Sequence, residues 1–368
     1  MELIQARADV VGSLLRPAEL LQARERLAAG EISPAQFKRV EDRAVDQALS
    51  MQERAGLEVL TDGELRRLSF QSQLAEAVEG FGDWDLDAFL WGRWHGQEGD
   101  VEIERPPLAV VAPLRQRRSP WAEELTYARA RTERTVKVTI PSPSLFANFW
   151  DPRRSTGAYR NLEDLIGAVA EILAAAVDEL VALGCTYVQI DAPHYTLLLD
   201  PAYRDFYESR GWPADRWLEL GLHYDNLVIG DRPGVTFAFH LCRGNQLGRW
   251  LVAGGYDAIA PTVFRRVRAQ RLMLEYDDER SGGFEPLAEL PEDKVAVLGL
   301  VSTKRGEVES VQQLSARVRE ASRHCPLERL AISPQCGFAT SLRGNPVTHE
   351  QQEAKLRALA LAAQEIWG

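Results

Sequence analysis

Eight short runs of β-branched and apolar residues, separated by longer stretches of helical periodicity, constrain this chain more than any other feature. The runs cover residues 9–13, 57–61, 136–140, 187–190, 235–240, 271–275, 295–300 and 330–333. Between them amphipathic segments recur, clearest at 34–54, 162–183, 311–322 and 349–367, with apolar residues three and four apart. Strand and helix alternating eight times predicts an α/β fold, a (β/α)8 TIM barrel. A doubly wound open sheet is the competing arrangement, but no Gly-x-Gly-x-x-Gly follows the first run. A length of 368 residues suits one barrel domain over residues 1–368 as well as two ordinary domains. Residues 68–134 break the rhythm. Trp84, Trp91, Trp94 and Trp121 stand there among acidic residues and the turn-rich Arg105-Pro106-Pro107, which predicts a cap or hairpin inserted after the second strand and packed at the barrel mouth. The same tryptophans would equally serve an extra packed subdomain or a contact between copies, so a homo-oligomer stays open.

In such a barrel the residues that follow each strand converge on one face, where active sites are built. The fifth run ends Phe239-His240-Leu241-Cys242-Arg243-Gly244-Asn245, and the eighth closes Ser333-Pro334-Gln335-Cys336-Gly337. In extended backbone His240 and Cys242 are two apart and point to the same side, so both can reach one ion. A His-x-Cys pair alone is equally a chance structural pair. Cys336 brings a third donor to the same rim, and Glu275, ending the sixth run, is the natural fourth; its bland reading is an acidic strand end beside Asp277, Asp278 and Glu279. Mixed nitrogen and sulfur donors suit Zn²⁺. The chemistry this invites is activation of a substrate thiol, because the thiolate is the nucleophile and a bound cation removes the thiol proton. Four protein ligands nominally close the site. An incoming sulfur must then displace one or raise the coordination number, and Glu275, the weaker oxygen donor, is expected to loosen. Cys185 and Cys325 stand before their strands, on the opposite face, and read as small buried hydrophobes.

The net charge of -11 and pI near 5.2 oppose a nucleic-acid or anionic-membrane partner, since the field of the molecule would repel phosphate. No stretch approaches a membrane span, and the N-terminus lacks a positive region followed by an apolar core, so a cytoplasmic protein without a membrane partner is expected. In a reducing compartment the four cysteines point to metal binding or burial rather than disulfides.

His240-Leu241-Cys242, Glu275 and Cys336-Gly337, with Val11-Gly12-Ser13, Asp62-Gly63-Glu64 and Gln189-Ile190-Asp191-Ala192-Pro193, together resemble the catalytic domain of cobalamin-independent methionine synthase over nearly the whole chain outside the insertion. The segment Glu275-Tyr276-Asp277-Asp278-Glu279-Arg280-Ser281-Gly282 is similar to that of short single-domain relatives lacking the synthase's N-terminal half. The resemblance implies a zinc-dependent S-methyltransferase of methionine biosynthesis: His240, Cys242, Glu275 and Cys336 bind zinc, a homocysteine thiol joins the metal as thiolate, and a folate supplies the methyl group. It further implies that Glu64 and Asp191 receive the substrate ammonium while Ser13 and its backbone N–H hold the carboxylate. Taken as residues alone, Asp191 would cap its strand and Glu64 would pair with Arg66 or Arg67.

Two places depart from the family pattern. Ala192 stands where the synthase has Glu, and Leu300-Val301-Ser302-Thr303-Lys304-Arg305 lacks the synthase's Asp-x-His segment for proton transfer, which leaves His194 as the substitute catalytic acid. The donor therefore stays open among folate, corrinoid and epoxide. So does the thiol, since related zinc enzymes add coenzyme M to epoxides. Three other readings compete. Metal-assisted hydrolysis is disfavoured because two thiolate ligands reduce the Lewis acidity of zinc. A barrel like uroporphyrinogen decarboxylase needs no metal and leaves His240, Cys242 and Cys336 unexplained. A structural-zinc or thiol-binding protein without catalysis would usually gather its ligands from short Cys-x-x-Cys loops.

Overall fold

A computed structural model describes residues 3–82 and 91–368; Trp84 lies outside the described residues. In chain order the strands are β1 (Val59–Leu60), β2 (Val78–Phe81), β3 (Gly92–Trp94), β4 (Val101–Ile103), β5 (Val110–Gln116), β6 (Thr135–Val136), β7 (Val138–Pro141), β8 (Tyr187–Asp191), β9 (Thr236–Leu241), β10 (Arg271–Glu275), β11 (Val295–Val301) and β12 (Leu330–Pro334). The helices are α1 (Ala18–Ala28), α2 (Pro34–Arg54), α3 (Ser72–Ala77), α4 (Pro120–Arg129), α5 (Leu162–Ala182), α6 (His194–Leu197), α7 (Pro201–Glu208), α8 (Ala214–Ile229), α9 (Ala260–Arg266), α10 (Val311–Ala321) and α11 (His349–Trp367). Three long helices begin where local chemistry sets them: Ser33, Ser310 and Thr348 each form a reciprocal capping box with a glutamine three residues on, which satisfies two otherwise orphaned N–H groups. None of the helices described is long and apolar enough to cross a membrane.

Strands β7 to β12 form one parallel sheet in chain order, and β1 runs parallel to β6. A parallel bridge from Ala8 to Ile332 closes the ring, giving the (β/α)8 barrel. The first expected strand, residues 9–13, is not a regular strand. Its backbone bonds are split: the Asp9 N–H donates to the Ile332 carbonyl at 2.9 Å, but the Val10 N–H donates to Asp9 Oδ1 at 2.8 Å and the Gly12 carbonyl accepts from Thr61 Oγ1 at 2.6 Å.

Alternation along each strand decides which side chains reach the interior. On β9, Phe237, Phe239 and Leu241 join the core beneath the helices, while Ala238 belongs to the inner cluster with Ala6, Val59, Met273, Val297 and Ala331. His240 shares the parity of Ala238, as Gln189 and Asp191 share that of Tyr187, another member of that cluster. The interior also holds a buried ion cluster: Asp9 pairs with Lys137 at 2.9 Å and with Arg271 at 3.3 Å, and accepts from the Tyr187 hydroxyl at 2.5 Å. Removing one member of such a cluster strands the others without countercharge, at a cost of about 3–5 kcal/mol.

The segment 68–134 divides in two. Helix α4 packs against α2 and α5 and is the barrel's own helix, so Trp121 belongs to the barrel core. The inserted part is a pair of antiparallel ribbons, β2 with β5 and β3 with β4. The β3–β4 arm reaches the loop after β9, where His95 and Trp250 exchange backbone hydrogen bonds of 2.8 and 3.0 Å.

Candidate metal centre

Three donors meet at the rim. His240 ends the inward row of β9, Cys242 follows with the same parity, and Cys336 lies just past β12; their ligand atoms all lie within 4.8 Å of one another, and all three residues are buried. The loop after β9 is pinned by buried Arg243, whose backbone N–H donates to Glu275 Oε2 at 2.7 Å and whose Nε donates to the Gly254 carbonyl at 2.8 Å. The loop after β12 is pinned by Gln335 Oε1, which accepts from the Thr303 N–H at 2.9 Å, and by the Asn245 amide, which donates to the Gly337 carbonyl at 2.8 Å.

His240 Nδ1 lies 3.0 Å from Asp191 Oδ1, to which Gln189 Nε2 also donates at 2.7 Å; Gln189 Oε1 accepts in turn from Lys137 Nζ at 2.7 Å. This chain favours the tautomer with its proton on Nδ1 and leaves Nε2 as a lone-pair donor. Nε2 is buried and without a partner, an orphan that a metal ion would satisfy. The Cys242 and Cys336 sulfurs lie within 4.8 Å of each other; the closeness of Cys336, with His240 helping against the cost of burial, brings the Cys242 thiol down to about 7, while the closeness of Cys242, together with burial, pushes Cys336 up. Burial alone would lower His240, yet Cys242 and Asp191 hold it above its ordinary value. Imidazole nitrogen and two sulfurs at this spacing fit Zn²⁺.

Glu275 is not in this group. Its side chain has the inward parity expected, but Oε1 takes Lys304 Nζ at 2.9 Å and Arg280 at 2.7 Å. Burial opposes ionisation there, but Lys304 and Arg280 outweigh it and hold the carboxyl well below the usual range. The expected fourth ligand is thus held by two cations and a backbone N–H, while its charge bears on both Cys242 and Cys336; among the described residues three donors meet within 4.8 Å. Lys304 and Arg280 were the missed residues; their signal was their place just beyond β11 and β10, where the strand-end logic already looked.

The expected acid His194 is also elsewhere. It opens α6, which carries it away from the rim: the ring is fully buried against Tyr195 and Trp217, with Nε2 2.8 Å from Ser144 Oγ, and burial pushes it down to about 3. Cys185 and Cys325 are buried free thiols, raised by burial.

Above the donors lies a cavity of about 800 Å³ counting its open mouth, and Ser13, Glu64 and Asp191 line it beside His240, Cys242 and Cys336. Glu64 is held in a left-handed conformation at φ 55°, a strain of about 1–3 kcal/mol that positions it. Its N–H donates to Asp62 Oδ1 at 2.9 Å, Oε1 accepts from Thr139 at 2.6 Å with Arg67 at 3.6 Å, and Oε2 is buried without a partner. Burial raises the Glu64 carboxyl, Arg67 lowers it and Asp191 raises it further, the net direction being upward. Gly12 makes room, since a Cβ there would lie 2.5 Å from Glu64 Oε1. Phe70, Trp91, Trp94, Tyr203 and Tyr207 wall the cavity, and Trp91 Nε1 donates to Asn148 Oδ1 at 2.9 Å. Among the described residues no Lys or Arg lines it. Asn148, Tyr203 and Tyr207 carried no sequence signal, because they come from helical segments, Tyr203 and Tyr207 from α7 and Asn148 from a 3-10 turn after β7, rather than from strand ends.

The model of the cobalamin-independent synthase catalytic domain matches residues 7–364. The uncharacterized protein YxjG of Bacillus subtilis (strain 168) is 35% identical over 98% of this chain and 94% of its own length. A methionine synthase of Saccharolobus solfataricus is 25% identical over 97% of this chain and 95% of its own. A solved structure from Listeria monocytogenes, provisionally named a vitamin-B12 independent methionine synthase, superposes with a TM-score of 0.76 at 25% identity, covering 100% of both chains.

Proposed function

This chain belongs to the family of cobalamin-independent synthase catalytic domains, and on that premise we propose that it is a zinc-dependent methyltransferase that places a methyl group on the sulfur of homocysteine. The observation that carries the reading is the convergence of His240, Cys242 and Cys336 within 4.8 Å at the floor of the cavity. Zn²⁺ held by these three would keep the acceptor sulfur deprotonated near neutral pH. With Glu275 engaged by Lys304 and Arg280, one position is left for that sulfur without displacing a protein ligand.

The remaining work falls to the chain's own side chains. Asp191 orients the His240 ring through Nδ1. Glu64, with one buried oxygen unpartnered, receives the ammonium of the acceptor, and Ser13 across the cavity takes its carboxylate. The aromatic wall excludes water from the thiolate, which strengthens the charge pairing around it. Two carboxylates and no lining Lys or Arg among the described residues match an amine-bearing thiol and oppose a sulfonate such as coenzyme M. That the Saccharolobus relative named methionine synthase has nearly this length supports the activity in a chain of this size.

The test is direct. Zinc-loaded protein is incubated with homocysteine or coenzyme M against methyltetrahydrofolate, methylcobalamin or an epoxide, and thioether is read by mass spectrometry. Methionine from homocysteine and methylfolate is expected; its absence with every donor would sink the proposal.

A further inference from the structure

The acidic side chains that line the cavity, Glu64 and Asp191, stand beside the thiols of Cys242 and Cys336. Among the described residues no Lys or Arg joins them in the lining, and the cations behind them are already matched. Lys304 and Arg280 stand between Glu275, at 2.9 and 2.7 Å, and Asp277, at 3.7 and 2.9 Å, while Arg67 divides itself between Glu124 at 2.8 Å and Glu64 at 3.6 Å. A bound homocysteine would add a thiolate and a carboxylate against one ammonium, so the loaded lining faces the methyl donor with negative charge in excess. A cleft lined by one sign of charge raises the local concentration of ligands of the other.

The remaining wall is rich in aromatic rings, several of them held by contacts behind. The Trp91 ring centroid lies 4.9 Å from that of Tyr203 and 4.6 Å from that of Phe206, and its indole N–H rests on Asn148. Tyr207 stacks on Trp217 at 4.0 Å, and Trp94 is buried in the same wall. Ring faces attract a cation, most of all where water is excluded. Acids and ring faces together suit a cationic ligand.

The bond-making step points the same way. A methyl group carried on the nitrogen of a folate leaves behind a nitrogen that must take a proton as the bond breaks. His240 is the only histidine in the described lining, and its ring is committed to the metal centre and Asp191; His194 is buried against Ser144, and the Tyr203 hydroxyl donates to the Trp91 carbonyl at 3.1 Å. A methyl group on a positively charged sulfur makes no such demand. The homocysteine thiolate forms the new carbon–sulfur bond, the old one breaks, and its electron pair returns to the leaving sulfur, which departs as a neutral thioether. One anion and one cation become two neutral groups, a change that a dry apolar cavity favours. A quaternary ammonium would satisfy the rings equally, but its amine is the poorer leaving group.

We infer that this cavity admits a sulfonium as methyl donor, its cationic centre received by the aromatic wall that Trp91 and Tyr203 build. The inference rests on the proposed methylation of homocysteine and adds a second class of donor to the same site.

Binding is read first, without turnover. Choline and its neutral carbon analogue, in which a tert-butyl group replaces the trimethylammonium, share a shape and differ by one charge. Calorimetric titration of the zinc-loaded protein should find choline bound about tenfold more tightly. Trp91→Leu and Tyr203→Leu should each erase most of that preference, and Trp91→Phe should keep part of it. Equal affinity for the two ligands overturns the inference, as does a preference for choline that survives in both folded leucine variants. Transfer is read next, by mass spectrometry of methionine made from homocysteine and trideuteromethyl-labelled trimethylsulfonium, S-methylmethionine or dimethylsulfoniopropionate. Labelled methionine is expected, in a single turnover whose rate is unchanged in deuterium oxide because no proton moves. Absence of label from all three sulfonium ions removes the donor even where choline is preferred. The two proposals fail separately: methionine from methylfolate with none from a sulfonium removes this inference alone, whereas labelled methionine from a sulfonium with none from methylfolate keeps it, together with the homocysteine acceptor, and removes the folate.

Discussion

Asp191 has two tasks, since the same carboxylate faces the cavity and takes the His240 Nδ1 proton at 3.0 Å. Asp191→Asn keeps the shape and an acceptor oxygen but removes the charge that makes His240 a better donor. Zinc affinity, read by competition with a chromophoric chelator, is expected to fall roughly 10–100-fold; an unchanged affinity would confine Asp191 to substrate binding. Gly12→Ala separates the other half of the site. The new Cβ would lie 2.5 Å from Glu64 Oε1 and push that carboxylate aside, so the KM for homocysteine should rise at least tenfold while metal content stays at the unaltered level. His240, Cys242 and Cys336 were legible before any coordinates because two-residue spacing and strand-end position are properties of the chain alone. The partners that Glu275 and His194 find in the fold were not, for a shared reason. Spacing sets the side from which a group starts, but Lys304, Arg280 and the Ser144–Trp217 pocket that capture these two come from other segments, and no spacing within one strand reports them.

At the scale of elements, strands from β7 onward and helices α2, α5, α10 and α11 could be read within a residue or two from periodicity and caps. The first strand could not, because side chains brought from Thr61 and Lys137 take the Gly12 and Val10 carbonyls that a regular ladder would use. Nor could the limits of the insertion, since α4 has the same amphipathic pattern whether it belongs to a cap or to the barrel. Buried cross-links between elements are equally invisible in sequence, and one of them carries a pH signature. Asp225 on α8 accepts from Tyr195 of α6 at 2.6 Å and from Ser142, just past β7, at 2.7 Å, and burial pushes its carboxyl up to about 7. In the unfolded chain the same group releases its proton near pH 4. Between those two values the folded protein holds more protons than the unfolded one, so stability falls as pH rises, and above about 7 the loss is complete. Asp225→Asn cannot ionise. Urea unfolding of both proteins from pH 4.5 to 8 should show the variant gaining on the unaltered protein up to about pH 7, by a total on the order of 4 kcal/mol, then running parallel. Parallel curves across the whole range would show that Asp225 titrates normally.

For the whole molecule the question is whether the metal holds the barrel together or is held by it. The donors sit on the loops at one rim, whereas the barrel is stabilised below them by the inner cluster around Met273 and Val297, the Asp9–Lys137–Arg271 ion cluster and the layer between strands and helices. The rim itself is tied without an ion: Arg243, Gln335 and Asn245 fix the two loops, and Asp191 holds His240. Loss of zinc leaves one buried nitrogen, His240 Nε2, unpartnered, a cost of about 1–3 kcal/mol, which a chain of this size can bear. Chelation should therefore leave the far-UV spectrum and a single cooperative melt intact. It should lower the melting temperature only by the mass-action term, about 4 kcal/mol when zinc stands at a thousand times its dissociation constant, and it should abolish thiol alkylation. Cys242→Ser and Cys336→Ser should reproduce that state: folded, without zinc by elemental analysis, and inactive. Global unfolding on chelation would instead make the zinc a structural staple, and would withdraw the claim that its open position serves a substrate sulfur.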